Sequence, residues 1–487
     1  MHPADWIVLA AFFAVTISIG IWAYSRVKDS GDFFTAGGKL PWWVTGVSHH
    51  VTGYSGAVFV AYAGIAYSKG FTIYCWWALE ISAVIALGAF LVAPRWSRMR
   101  RKLRIQSPTE YLSTRYNVPT QQIIAWSGVL LKVFDVGAKW AAIAILLNVF
   151  TGLPMPTGVF LAGAVSLIYI TVGGLWADVA NDLVQFGVQL TAGSVMLVTI
   201  LGKLGGVRAL WTMWDRLPAS HAAPFNDPYT PAFAAAYLLI NFLSYNGGTW
   251  HLAVRYISSP RGSDARKAAL LSSALYLVWP LILFFPMWAA PIFFPNLANP
   301  EHSYARMALE FLPAGLVGLV LSSMFASTLA MTASDSNAIS AVVVRDILPR
   351  IMRRYDFGDR RKALRLARIS TFTFTTLTVL IALNAGSFGG VLGLIISWYG
   401  ALVGTVAIPM ILGLLPWFRR SNAVSAVLAI GSGLAVFAAV KYLVSSSLAA
   451  QVGLPVAASA AVFVVSGLFV RKPRAGTDAF LEKIGSD

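Results

Sequence analysis

The chain has 487 residues, of which 57% are hydrophobic and 12% charged, about half the charged fraction of an ordinary soluble domain. That composition reads as an all-α polytopic membrane protein and excludes a soluble enzyme. The net charge of +17 would suit nucleic acid, while the single cysteine, Cys75, excludes an internal disulfide and a cysteine-rich metal centre.

Thirteen apolar stretches reach the length of about 20 residues that a bilayer-spanning helix needs. They run over 5–25, 44–67, 70–94, 121–150, 155–173, 176–202, 231–256, 266–292, 308–344, 363–386, 389–416, 422–444 and 451–470. The first has neither a basic leader nor a small-residue cleavage site and is expected to be retained. In the second, "SHHVTGYSG" (48–56) puts polar, helix-weakening residues in mid-span. One of His49 and His50 is expected to bond backbone freed there, the other to face a neighbouring helix. Six histidines are too few to suggest a transition-metal site. Trp42 and Trp43 suit the membrane interface, whereas Trp76, Trp77 and Glu80 of the third stretch are candidates for a solute site.

In the fourth stretch, "LKVFDVGAK" spaces Lys132, Asp135 and Lys139 so that Asp135 can pair with either lysine. The lysine left over would attract an anionic solute or stand in for a cation. Asp178 and Asp182 in the sixth share a helical face. The seventh is interrupted by "NFLSYNGGTWH" (241–251), with Asn241, Tyr245, Thr249 and His251 as polar candidates, and Tyr276 follows in the eighth. The ninth, 308–344, is longer than a span needs, and Thr328, Thr332 and Asp335 form one stripe along it. Intramembrane carboxylates are costly and mark function by default. Asp182 and Asp335 are read as cation or proton groups, against the plainer alternative that Asp178 and Asp335 lie hydrated near span ends. No P-loop, HExxH or Gly-x-Ser-x-Gly setting is present, so neither an enzyme nor an ATP-driven pump is expected.

The connections at 26–43, 95–120, 174–175, 255–267, 345–368, 417–421 and the tail hold 29 of the 37 Lys and Arg residues, and the opposite connections six. The positive-inside rule then places the amino terminus outside and the carboxyl terminus in the cytoplasm, in a plasma (inner) membrane. The surplus charge is thereby assigned to anionic lipid head groups rather than nucleic acid. The two interrupted spans stand five helices apart and so run in opposite directions, the pattern of a transporter with inverted repeats and a midplane site. The expected organisation is a peripheral helix and linker at 1–43, a five-helix repeat at 44–202, a loop at 203–230, an inverted five-helix repeat at 231–416, and two peripheral helices with a short tail at 417–487.

Three motifs, in order, resemble the sodium:solute symporter family: "FFTAGGKLPWWVTGVS" (33–48), "GGLWADVANDLVQ" (173–185) and "SDSNAISAVVVRDI" (334–347). The similarity covers most of residues 5–420. It implies a LeuT-like 5+5 inverted-repeat fold with about 13 transmembrane helices and alternating-access uptake of a small organic solute, driven by sodium. It places the family's ion-binding carbonyls at Val51, Tyr54 and Ser327, and its paired hydroxyls at Ala330 and Met331. Those two side chains offer a hard cation no oxygen. Ser327 and Thr328 substitute only if the helix register shifts, which leaves Asp182, Ser334 and Asp335 as further cation or proton candidates. Weak or absent sodium dependence is therefore expected, with protons as the alternative.

The family's sugar-contact positions, carried across, fall on Ala57, Val58, Trp77, Glu80, Tyr276 and, on the eleventh stretch, Ile396 or Ser397; its inner-gate tyrosine is kept as Tyr245. What remains is aromatic, with Tyr54, Trp76, Trp77, Tyr245, Trp398 and Tyr399, and polar at Ser55, Glu80, Asn241, Thr249 and His251. Such walls suit a sugar or sugar derivative. An organic acid or amino acid is the second reading, and a channel or sensor on the same scaffold the third. No cofactor is expected beyond Na+ as coupling ion. The expected partners are the solute, the cation and lipid; oligomeric state is not legible.

Overall fold

The computed structural model describes residues 1–388, 403–444 and 447–486. Its regular elements are helices. Those that position the site are α1 (Pro3–Tyr24), α2 (Trp42–Val51), α3 (Ala61–Lys69), α4 (Glu80–Leu91), α5 (Ala93–Leu103), α6 (Val118–Thr151) and α7 (Met155–Lys203) in the first half. The second half supplies α8 (Pro231–Leu243), α9 (His251–Ile257), α10 (Gly262–Phe293), α11 (Leu316–Val342) and α12 (Arg360–Leu383). After them come α13 (Ala407–Leu412), α14 (Ala423–Tyr442), α15 (Leu448–Leu468) and the short α16 (Thr477–Gly485).

Among the described residues eight helical runs are long and apolar enough to cross a bilayer, fewer than the thirteen stretches read from sequence. The reasons are local. The expected spans at 44–67 and 231–256 are each broken into two helices. The α6 helix is continuous over 34 residues but carries Lys132, Asp135 and Lys139 in its middle. The first half of the stretch 389–416, residues 389–402, lies outside the described residues. The ninth stretch does not begin at 308: a separate helix ends at Phe311, and Pro313 with Gly315 at φ 88° resets the chain before α11 starts at Leu316.

The expected connection at 174–175 is instead a kink inside α7. Gly174 adopts φ 54°, ψ −145° there, a conformation that suits glycine alone, and a side chain would strike Phe33. The central element is α11. Buried residues make up 89% of its apolar window, against 28% for α1 and α15, so its polar side chains meet protein rather than lipid. It packs along α7, α1 and α6.

The two broken spans differ in how they unwind. After α2 the chain runs through Thr52–Ser55, makes a short turn at Gly56–Phe59 and resumes as α3. After α8 it widens into a π turn, Ser244–Gly248, and resumes at His251. Gly247 has φ 115° and Trp250 φ 70°. A bulky residue in the left-handed region costs of order 1–3 kcal/mol and persists only where its surroundings fix it. Trp250 is fully buried, and its indole N–H donates to the Met410 sulfur at 3.2 Å.

Candidate functional site

Breaking a helix inside a membrane frees backbone groups that need partners, and here each break supplies side chains to the other. The Tyr245 hydroxyl donates to the Gly53 carbonyl at 2.8 Å. His251 Nε2 lies 3.1 Å from the Thr52 carbonyl, and His49 Nε2 3.1 Å from that of Tyr245. From α5, the Trp96 indole donates to the Asn246 carbonyl at 3.0 Å. Gly56 N–H donates to Thr328 Oγ1 at 3.0 Å, which ties the first break to α11.

Between the breaks lies a cavity of about 40 Å³, room for one or two water molecules and not for a sugar. Ser55, Tyr54, Trp77 and Tyr245 line this cavity, together with Lys139, Asp135 and Met331. Ala57 and Val58 also line it, and the remaining described candidates stand around it. Trp76 turns away and stacks on Tyr229, with ring centroids 5.3 Å apart. Asn241 donates to Glu80 Oε2 at 3.2 Å, so those two satisfy one another. Tyr276 donates to the His50 carbonyl at 3.2 Å, and Thr249 to the Ser244 carbonyl at 3.0 Å. His50 itself sits among the rings of Tyr54, Phe186 and Tyr276. Ile396, Ser397, Trp398 and Tyr399 lie outside the described residues.

Of two buried charge clusters, the first borders the cavity through Asp135 and Lys139. In the first, Lys132 and Lys139 share two carboxylates. Lys132 donates to Asp135 Oδ2 at 3.1 Å and Asp335 Oδ1 at 2.6 Å; Lys139 donates to Asp135 Oδ2 and Asp335 Oδ2, both at 2.6 Å. No lysine is left over, which corrects the expectation from the sequence: the second carboxylate comes from α11. Asp335 is fully buried rather than hydrated at a helix end. His251 Nδ1 lies 2.8 Å from Asp335 Oδ1 and 3.0 Å from the Thr249 carbonyl, so this cluster touches both breaks.

The second cluster joins α7, α9 and α11. Arg255 donates to Asp178 Oδ2 at 2.7 Å and Asp182 Oδ2 at 3.2 Å, and contacts the Ser334 hydroxyl. Ser334 also donates to Asp178 Oδ2 at 2.9 Å, and Ser48 of α2 to Asp182 Oδ2 at 2.5 Å. The basic count placed Arg255 in a connection, yet it is fully buried. Its sequence position near the end of a span concealed its role. One turn further along α7, Gln185 is buried with neither amide atom bonded, and Gln189 accepts the Tyr54 hydroxyl at 2.6 Å. The series Asp178, Asp182, Gln185, Gln189 follows helical spacing, and that spacing would have exposed the two glutamines in the sequence.

The clusters differ in charge and in free oxygens. Two lysines balance two aspartates in the first. In the second, one arginine faces two aspartates, and Oδ1 of both Asp178 and Asp182 has no hydrogen-bond partner despite complete burial. Carboxylate and hydroxyl oxygens are the ligand type a hard cation takes, and here Arg255 already contacts Oδ2 of both aspartates and the Ser334 hydroxyl. The side chains of Ala330 and Met331 offer no such oxygen. Ser327 and Thr328 keep their register and spend their hydroxyls on the carbonyls of Ser323 and Met324. Among the described residues no group of three or more His, Cys, Asp or Glu forms a metal centre.

Facing helix breaks around a shared cavity, with paired charges buried among apolar helices, define a multi-pass secondary transporter. The profile of the sodium:solute symporter family matches residues 33–433, so the chain belongs to that family, whose members are transporters and not enzymes. It is 24% identical over 459 residues to a sodium/sialic acid symporter of Aliivibrio fischeri, covering 88% of this chain and 86% of that one. A sodium/glucose cotransporter of Vibrio parahaemolyticus is 23% identical over 452 residues, covering 86% and 81%. Among solved structures, a Na+-coupled sialic acid symporter in a substrate-bound, outward-open state superposes with a TM-score of 0.85 at 21% identity, covering 97% and 99%. Mhp1, a nucleobase-cation-symport-1 family transporter, reaches 0.58 at 14% identity, covering 94% and 100%. The fold is thus LeuT-like, as the family resemblance implied.

Proposed function

We propose that this protein imports a small polar organic solute, a sugar or sugar derivative, by alternating access coupled to a cation. The observation that carries this is the pair of facing breaks, each stabilised by side chains of the other beside a shared cavity. Bonds of that kind can be exchanged as one bundle rocks against the other. The aromatic walls from Trp77, Tyr54 and Tyr245 favour a flat polar ring, and relatives that are sialic acid and glucose symporters favour the same class.

The cation is sodium, the ion after which the family is named, held by Asp178 and Asp182 with Ser48 and Ser334. This replaces the weak sodium dependence expected from Ala330 and Met331, whose side chains offer no oxygen beside the first break. The basic connections face the cytoplasm, and the protein rests against anionic lipid there. Uptake of N-acetylneuraminic acid, glucose and myo-inositol into proteoliposomes, with an inward sodium or choline gradient, tests the reading. One of these should show saturable, sodium-stimulated uptake and counterflow. Saturable uptake only of organic acids or amino acids would transfer the assignment to that class, and non-saturating currents would make the protein a channel.

A further inference from the structure

The Lys132–Asp135–Lys139–Asp335 cluster is placed where a bound cation would otherwise act. Lys139 and Asp135 line the same cavity as Tyr54, Ser55 and Met331, at the junction of the first break with α11. All four side chains are buried: Lys132 and Asp335 at 0% exposure, Asp135 at 2% and Lys139 at 4%. Their charges cancel without any added ion. A cation reaching this cavity would meet the Lys139 ammonium and the Met331 thioether, with the Asp135 carboxylate already paired to that ammonium.

The cluster also makes the mechanical link that such an ion would make. Asp335 belongs to α11, and through His251 it reaches the Thr52 carbonyl at the start of the first break and the Thr249 carbonyl in the second. Thr328 adds the direct bond from α11 to Gly56. The second cluster is the opposite case, with one uncompensated negative charge and two unbonded carboxylate oxygens.

We propose that the Lys139 ammonium, clamped by Asp135 and Asp335, permanently replaces a carried cation at the first helix break, so that each transport cycle moves a single sodium ion, bound at Asp178 and Asp182. This rests on the transporter reading above and fixes its stoichiometry. Like charges exclude a mobile ion from the break, while the acidic pair attracts one. The driving force per cycle is then that of one sodium ion moving down its gradient rather than two.

Counting bound sodium tests this on the purified full-length protein in lipid nanodiscs, with ²²Na⁺ alone as the probe and no solute. The expected result is one saturable Na+ per chain, displaced by unlabelled Na+ and lost in Asp182→Asn. A second measurement uses Lys139→Gln combined with Ala330→Ser and Met331→Ser, which empties the break of its ammonium and supplies hydroxyls. That variant should bind a second Na+ per chain, its folding checked by a monodisperse elution profile. Two ions per wild-type chain, or one that survives Asp182→Asn, overturns the proposal. Zero ions overturns the sodium-coupled reading and the single-ion stoichiometry with it. Solute uptake that persists in choline alongside one bound Na+ would leave the ion count standing and refute only its coupling to the solute.

Discussion

Asp335 is the most informative single position, because one carboxylate there holds two lysines and a histidine from two other helices. Asp335→Asn keeps the shape and removes the charge. Lys132 and Lys139 then share the single carboxylate charge of Asp135, and the buried cluster carries one excess positive charge. Breaking a buried ion pair in this way costs about 3–5 kcal/mol. Unfolding entropy of roughly 2.1 cal/mol/K per residue, taken over 487 residues, gives about 1 kcal/mol per degree. The expected fall in Tm is therefore about 3–5 °C, read by intrinsic tryptophan fluorescence on the detergent-solubilised protein. Adding Lys132→Met to Asp335→Asn restores the charge balance and should recover at least half of that loss. If Asp335→Asn melts within about 1 °C of the unmodified protein, the cluster is not the buried and tightly paired unit described. If the second substitution instead adds its own full loss, charge balance is not what the four residues provide.

Thr328→Val keeps the side-chain volume and deletes the acceptor for Gly56 N–H. An orphaned buried amide costs about 1–3 kcal/mol, so Tm should fall by about 1–3 °C, with faster hydrogen exchange at Gly56; unchanged exchange would show that the amide has another partner. Outside the membrane, Asp359 caps α12 by accepting from the Arg361 and Lys362 amides at 2.9 and 3.1 Å. The Lys362 amide, foremost, holds its carboxyl below the usual value. Because the folded pKa is the lower one, the cap is fully present above the unfolded value of about 3.9 and is lost as pH falls through the folded value. Exchange protection at residues 361 and 362 should be flat from pH 7 to about 4 and vanish below. Loss near pH 6 would contradict this assignment of the cap.

Much of the architecture follows from local chemistry. Glycines and polar residues in the middle of two apolar stretches mark the breaks, because a helix cannot absorb "VTGYSG" or "SYNGG" without unwinding. The absence of side-chain oxygen at Ala330 and Met331 was equally plain, since it needs only the identity of two residues. Helical spacing within one segment was enough to pair Asp135 with its neighbouring lysines. It was not enough to find Asp335, which lies 203 and 196 positions from Lys132 and Lys139, or to move Arg255 from a connection into the protein interior.

Those assignments depend on which faces of α6, α7, α9 and α11 meet, and packing decides that rather than spacing. The same holds for the wall of the cavity. Trp76 and Trp77 are adjacent in a run with no break in its helical signal, and the π turn at Tyr74–Leu79 turns one toward Tyr229 and the other toward the cavity. Residue identity alone locates the helix breaks and the positions, Ala330 and Met331, that lack side-chain oxygen. Which buried charges pair is a matter of packing, because such charges find their partners across helices and not along them.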